Sequence, residues 1–103
     1  MKEAVFFNSY KLKEGASISE FLAAVEEVKN EYISKQKGFI SYKLLVDGDK
    51  WADLTTFESL DDAKQFGERN KAKGSEINKY SLIFYSFINI LTCRSHYFTI
   101  EKS

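Results

Sequence analysis

The sequence predicts an α+β fold, in which one antiparallel sheet of four strands carries its helices on one face. Segments rich in β-branched and aromatic residues alternate with segments of helical periodicity, in the order β-α-β-β-α-(α)-β. This order contains a weak twofold repeat of βαβ units, as split βαβ folds do. A length of 103 residues suits one core. We therefore expect residues 1–103 to form a single domain.

The N-terminal third predicts the first strand and the first helix. Ala4–Leu12 is β-branched and aromatic and predicts a strand. Ser17 precedes Glu20 by three residues, which is the spacing of a capping box at a helix start. Apolar residues then recur at three- and four-residue steps. They predict a helix that runs to about Gln36, with Gly38 placed as a C-cap glycine.

The middle of the chain predicts a β-hairpin. Phe39–Val46 is the second strand, and Lys50–Phe57 is the third. Between them, Asp47-Gly48 is a strong two-residue hairpin signal. The two strands are therefore expected to pair antiparallel.

The last third predicts an interrupted helix and a closing strand. Ser59 can cap this second helix. Residues 73–75 (Lys-Gly-Ser) interrupt it, and a helical period resumes at Ile77 and reaches Ile88. The closing strand is predicted over about Ile90–Ile100.

Composition and charge argue against several classes of protein. Fifteen basic residues balance fifteen acidic ones, which disfavours a nucleic-acid binder that relies on bulk charge. The longest uncharged stretch, residues 80–93, is too short to span a bilayer, so we predict no membrane span. No secretory signal is visible, and the single cysteine, Cys93, suits a reducing compartment. We expect a cytoplasmic protein.

Apolar residues on both faces of the predicted strands indicate a second copy of the chain. Phe6 and Phe7 are neighbours in the first strand and therefore point to opposite faces. In the second strand, simple alternation places Phe39 and Leu45 opposite Tyr42. The helices can cover one face, and this short chain has nothing left to cover the other. Because closed twofold dimers are the commonest oligomers, we predict a homodimer through the sheet faces.

Aromatic residues make up 16% of the chain, which is more than a core of this size needs. One interpretation is plain packing. The other is a ring-lined cavity between sheet and helices, in which a few hydroxyl groups orient a small hydrophobic molecule. The residues predicted to line this cavity are Tyr10, Tyr42, Phe66, Tyr80 and Phe84.

Three further side chains are candidates for binding a ligand. Asn8 shares a strand face with Tyr10, and either makes a structural hydrogen bond or binds a ligand carbonyl or hydroxyl. Trp51 either fills the core or interface, or stacks on a ligand. His96, the only histidine, either packs at a core or interface position or acts in acid–base catalysis. If the protein is an enzyme, Asn8 and His96 are the catalytic candidates.

Asp53 shares a strand face with Trp51 and needs a partner, because carboxylates are disfavoured inside strands. We expect a salt bridge to Lys43 or Arg69. Elsewhere, one histidine and one cysteine cannot build a metal site, and the glycines form no phosphate-binding motif. The sequence therefore predicts neither a metal nor a cofactor.

Two short motifs accompany this order of elements: Asn8-x-Tyr10-x-Leu12-x-x-Gly15 at the end of the first strand, and Phe57-Glu58-Ser59 with Ala63 where the third strand meets the second helix. With the split second helix and the two-faced sheet, they resemble the dimeric α+β barrel superfamily. This superfamily has a ferredoxin-like fold. The nearest resemblance is to its antibiotic-biosynthesis-monooxygenase-like branch, and it covers essentially the whole chain.

The resemblance implies a pocket and a role for Asn8. In the cofactor-independent monooxygenases and haem-degrading enzymes of this branch, an asparagine on strand one faces the pocket, and Asn8 matches it. The haem degraders also use a tryptophan inside helix two and a histidine further along. Phe66 and the stretch around Glu76 occupy the matching places and lack that chemistry. We therefore discount haem degradation.

Three functions stay open at this level. The first is a binding protein for an aromatic or long acyl molecule that carries oxygen. The second is a cofactor-independent monooxygenase acting on an aromatic polyketide-like substrate, with Asn8 and Trp51 holding the substrate anion. The third is a structural dimer with no ligand.

Overall fold

Four strands and three helices make up the fold in the residues that the structure, a computed structural model, describes: 2–70 and 79–102. The strands are β1 (Ala4–Leu12), β2 (Phe39–Asp47), β3 (Lys50–Phe57) and β4 (Ile88–Thr99). The helices are α1 (Ile18–Glu31), α2 (Leu60–Arg69) and α3 (Lys79–Tyr85), and a 3-10 turn over Ile33–Lys35 follows α1. None of these helices is both long and apolar enough to cross a membrane.

The final strand departs from its predicted bounds. It begins at Ile88 rather than near Ile90, because the helical pattern that reaches Ile88 in the sequence ends with α3 at Tyr85. The predicted interruption at residues 73–75 and the residue Ile77 lie outside the described residues.

The strands form one antiparallel sheet in the order β2-β3-β1-β4, with the helices on one face. This arrangement confirms the predicted ferredoxin-like α+β fold. Because β1 pairs with both β3 and β4, Asn8 stands opposite Asp53 on one side and Ser95 on the other. The register thus brings three polar side chains together on the helix-covered face of the sheet.

Helix α1 begins as predicted and ends earlier. The Ser17 hydroxyl accepts a hydrogen bond from the backbone N–H of Glu20 at 3.2 Å, which confirms the predicted N-cap. The α-helical path stops before Tyr32, where φ is −131°, so the prediction of one helix to about Gln36 is wrong. The sequence pattern persists beyond the end of the helix because Ile33 is still buried, although it lies in the tighter 3-10 turn.

Three glycines of the described residues, Gly15, Gly38 and Gly48, have positive φ angles, and the last two lie where the sequence predicts a helix end and a hairpin turn. Gly48 has φ +62°, and the two turn residues of the hairpin are Gly48 and Asp49, because Asp47 still pairs with Lys50. The hairpin is therefore confirmed, with its turn one residue later than the predicted Asp47-Gly48. Gly38 has φ +78°, and a Cβ there would overlap a side chain of α2.

Register shifts in both outer strands change which side chains share a face. In β2 the shift lies between Phe39 and Ser41, and it puts Phe39 against the helix-covered core near Tyr42. The prediction that Phe39 points away from Tyr42 is wrong for this reason. In β4, the four residues 90–93 bulge out of the regular pairing opposite the single residue Tyr10 of β1.

Two clusters of buried side chains hold the helices on the sheet. One surrounds Phe57 and Ala63, and the other surrounds Phe21 on α1. The Phe21 ring is fully buried, and centroid distances of 5.3 to 6.2 Å join it to Tyr10, Trp51, Phe84 and Phe87. These clusters absorb many of the aromatic residues, and residues from both also line a cavity.

Candidate functional site

A cavity of about 90 Å³ lies between the helices and the sheet. Its walls are mainly aromatic and aliphatic, and the strands supply its polar floor. Five of the predicted site residues line it: Asn8, Tyr42, Phe66, Tyr80 and Phe84.

The other three predicted site residues lie elsewhere. Tyr10 is buried between the sheet and the helices and does not line the cavity. Its hydroxyl donates to Asp53, which does line it. Trp51 packs edge-on against Phe21 in the core, with ring centroids 5.3 Å apart. His96 lies on the opposite face of the sheet, 6.0 Å from Phe98 between centroids, so it does not contribute to this cavity.

The carboxylate of Asp53 is the most unusual group in the floor of the cavity. Asp53 is buried in the middle of β3. Its Oδ1 accepts hydrogen bonds from two phenols, Tyr10 at 2.9 Å and Tyr42 at 2.5 Å. The two tyrosines come from strands on either side of β3, so three neighbouring strands fix the orientation of this carboxylate.

The predicted salt bridge from Asp53 to Lys43 or Arg69 is wrong. Lys43 follows Tyr42 in β2 and therefore points to the other face of the sheet. Arg69 donates to Gln36 at 2.7 Å instead. The sequence contained a signal for the true partners, since a tyrosine occupies a same-face position on each strand beside Asp53.

Burial changes the titration of this cluster. It raises the pKa of Asp53 to about 7, against the lowering effect of the hydrogen bonds from Tyr42 and Tyr10. Burial, and then the negative charge of Asp53, raise the pKa of both tyrosines. The two phenols therefore stay protonated donors, and the carboxyl group changes its charge near neutral pH.

Asn8 stands beside Asp53 and is held by β4. Its Oδ1 accepts hydrogen bonds from the Ser95 hydroxyl at 2.8 Å and from the Cys93 thiol at 3.0 Å. Burial raises the pKa of the Cys93 thiol, which keeps the thiol protonated as a donor. Both contacts hold the amide oxygen toward β4.

Two polar atoms in the floor remain open to the cavity, Asn8 Nδ2 and Asp53 Oδ2. Neither has a hydrogen-bond partner within the described residues, where every fully enclosed side-chain nitrogen or oxygen does have one, so both atoms are accessible. Asn8 and Asp53 are direct cross-strand partners, whose Cβ atoms lie about 5 Å apart. The floor thus presents a donor and an acceptor side by side.

Asn70 joins the helical walls of the cavity. Its Oδ1 accepts from the hydroxyls of Tyr32 at 3.2 Å and Ser81 at 2.8 Å, and its backbone oxygen accepts from Tyr85 at 2.6 Å. These bonds tie the end of α2 to α3 and to the residue that follows α1. All four of these residues line the cavity.

No group of three or more His, Cys, Asp or Glu side chains that could hold a metal occurs in residues 2–70 and 79–102. Phe66 occupies the place that matches the tryptophan of the haem degraders. It packs into the core against Phe57, with ring centroids 5.3 Å apart. The stretch around Glu76 lies outside the described residues.

Comparisons with known proteins identify the fold. No family model and no curated protein matches the sequence. Among solved structures, SnoaB from Streptomyces nogalater, a cofactor-independent oxygenase (N63A mutant), matches 100% of this chain and 97% of its own, with 13% identity and a TM-score of 0.74. An antibiotic biosynthesis monooxygenase-like protein from Caulobacter crescentus CB15 matches 98% and 92%, with 12% identity and a TM-score of 0.71.

A third structure is a dimeric protein of unknown function with a ferredoxin-like fold from Bacteroides fragilis. It matches 95% of this chain and 96% of its own, with 17% identity and a TM-score of 0.61. These matches confirm the resemblance to the antibiotic biosynthesis monooxygenase-like, ferredoxin-fold proteins. At such identities the likeness is one of fold.

Proposed function

We propose that the protein binds a small hydrophobic molecule that carries oxygen, in the cavity between the helices and the sheet. The observation that supports this function is the pair of open atoms, Asn8 Nδ2 and Asp53 Oδ2, in a cavity walled mainly by rings and aliphatic groups. A ligand carbonyl accepts from the amide, and a ligand hydroxyl donates to the carboxylate. A structural dimer without ligand leaves both atoms without a partner among the side chains that the structure describes, so that water has to satisfy them.

The volume of the cavity favours a small ligand, with one or two rings or a short acyl segment, over a larger one. A volume of about 90 Å³ is below the roughly 150 Å³ of an engineered cavity that accepts benzene. A ring-sized ligand therefore has to displace part of a wall. Helix α3 has seven residues and depends on tertiary contacts for its stability, so we expect α3 to move when a ligand enters.

Replacing Asn8 by alanine is expected to weaken the binding of 1-naphthol about tenfold. The naphthol hydroxyl accepts from Asn8 and donates to Asp53, and one lost hydrogen bond costs about 1 to 1.5 kcal/mol. Quenching of 1-naphthol fluorescence during titration measures the affinity. Ser9→Ala, on the opposite face of the same strand, is the matched control and keeps the wild-type affinity. Equal affinities for wild type and Asn8→Ala, or no binding by the wild type, contradict the proposed site.

We also propose that a second copy of the chain covers the outer face of the sheet, the face that points away from the helices. This face exposes Phe98 (53%) and Leu45 (41%), and Phe7 and His96 lie beside each other in the same layer. The Bacteroides fragilis structure with this fold is described as dimeric. In this proposal His96 is an interface residue. We also propose that the protein is located in the cytoplasm, because a reducing compartment suits its single cysteine, Cys93.

Phe98→Lys is expected to raise the dissociation constant of the dimer at least tenfold. Burying a phenylalanine stabilises an interface by about 1.5 to 3 kcal/mol, and a lysine at the same position has to be desolvated. Sedimentation equilibrium at micromolar concentration measures the effect. Leu82→Lys, at an equally exposed apolar position on α3, is the control. A wild-type protein that sediments as a monomer refutes the dimer.

A second candidate function is cofactor-independent oxygenation. It is favoured by the fold shared with SnoaB, a cofactor-independent oxygenase, together with the open Asn8 amide in the cavity floor. In such a reaction a methylene group and O₂ give a ketone and water. Trp51 does not hold the substrate here, because it packs in the core against Phe21. Oxygen consumption with anthrone, absent in Asn8→Ala, tests this candidate. It ranks second because a ligand of three fused rings exceeds the cavity volume further than a ligand of one or two rings does.

A further inference from the structure

Asp53 is placed for proton transfer as well as for binding. We propose that Asp53 is the proton acceptor for the bound molecule, and that the ligand class is an enolisable ketone whose carbonyl oxygen is bound by the Asn8 amide. This inference rests on the proposed ligand site and adds a chemical step to it. It gives each of the two open atoms in the cavity floor a separate role.

The geometry of the carboxylate separates its two oxygens. Oδ1 is occupied by the hydroxyls of Tyr10 and Tyr42. Oδ2 is the oxygen that opens into the cavity. The two phenols approach from strands on opposite sides of β3 and fix the carboxylate. Within residues 2–70 and 79–102 no basic side chain forms an ion pair with Asp53, which lines the cavity.

The proposed step conserves atoms and electrons. A C–H bond next to the ligand carbonyl breaks, and its proton forms an O–H bond with Asp53 Oδ2. The electron pair moves onto the carbonyl oxygen, which becomes an enolate that accepts a hydrogen bond from Asn8 Nδ2. Return of the proton to the same carbon restores the ketone. In D₂O, the Asp53 carboxyl group exchanges its proton for a deuteron from solvent. Return of that deuteron places deuterium on the carbon next to the carbonyl, and the cycle needs no oxidant.

The surroundings of Asp53 are suited to a general base. A base works best when its pKa lies near the working pH, and burial brings that of Asp53 to about 7. Asp53 is the only acidic residue among the described lining residues, which include no lysine, arginine or histidine. The other titratable side chains that line the cavity or contact the carboxylate cluster are Tyr10, Tyr32, Tyr42, Tyr80, Tyr85, Cys93 and Tyr97.

The test is hydrogen–deuterium exchange at the acidic methylene group of 2-tetralone, followed by proton NMR in D₂O. The wild type is expected to accelerate exchange over buffer, with a rate that rises as the pH passes about 7 and is level above about 8. Asp53→Asn is expected to lose at least 100-fold of this rate while it still binds 2-tetralone. Asp47→Asn changes an exposed carboxylate at the end of β2 and keeps the wild-type rate.

The variant Tyr42→Phe tests the role of Asp53 independently, through the pH dependence of the exchange rate. It removes one hydrogen bond that favours the carboxylate, so the midpoint of the pH profile is expected to move upward by about one pH unit. Exchange that persists in Asp53→Asn, or that is lost in His96→Gln, overturns the role of Asp53 while binding of 2-tetralone leaves the ligand site intact. Absence of binding by both 2-tetralone and 1-naphthol overturns the ligand site as well.

Discussion

Asp53→Asn is expected to be more stable than the wild type at pH 8, with an advantage that disappears toward pH 4. The pKa of this carboxyl is 3.8 in the absence of the fold and about 7 inside it. Between these pH values the folded protein holds a proton that the unfolded chain has released. The stability of the wild type therefore falls as the pH rises from about 4 to about 7.

The size of this effect follows from the shift in pKa. At about 1.4 kcal/mol for each pH unit, the wild type loses about 4 kcal/mol across the interval. Asparagine carries no charge, and its Oδ1 can still accept from Tyr10 and Tyr42. Chemical denaturation of both proteins at pH 4, 6 and 8 measures the difference in the free energy of unfolding. A difference that is the same at all three pH values refutes the assigned titration of Asp53.

Phe21→Ala is expected to lower the free energy of unfolding by about 3 to 5 kcal/mol. The Phe21 ring is fully buried and contacts four other rings, so its removal leaves a cavity that rigid neighbours cannot fill. For a domain whose total stability is of order 5 to 15 kcal/mol, such a loss approaches global unfolding.

Urea denaturation measures the free energy of unfolding of Phe21→Ala, and the matched control is Leu22→Ala on the same helix. Leu22 is 45% exposed, and Leu22→Ala is expected to cost less than about 1 kcal/mol. Phe21→Leu is expected to lie between the two variants, because it keeps part of the buried volume. Equal losses in Phe21→Ala and Leu22→Ala contradict the central position of this ring.

Local sequence patterns predicted the elements of this fold better than their ends. Both ends of β3 were predicted correctly, because turn and cap residues flank a strong strand segment. The hairpin turn moved by one residue because cross-strand pairing sets its register. The end of α1 could not be read from periodicity, because Ile33 continues the buried stripe in a 3-10 turn.

The sequence predicted most of the aromatic residues of the site, but not the hydrogen-bond partners of its polar side chains. Asn8 and Tyr42 were found because they alternate in phase with apolar neighbours on a buried strand face. The role of Asp53 was missed because its partners are phenols on two other strands, and only the sheet order reveals that β3 lies between them. His96 belongs to the outer face, and the placement of β4 against Phe7 of β1 was needed to establish this.

The irregularities in β2 and β4 also bear on aggregation. These are the two edge strands of the sheet, and a regular exposed edge is a template on which other chains can add as further strands. The bulge at residues 90–93 interrupts that template in β4, where Arg94 donates to the carbonyls of Leu91 and Cys93. In a chain so rich in aromatic residues, we expect this interruption to disfavour edge-to-edge addition of further strands.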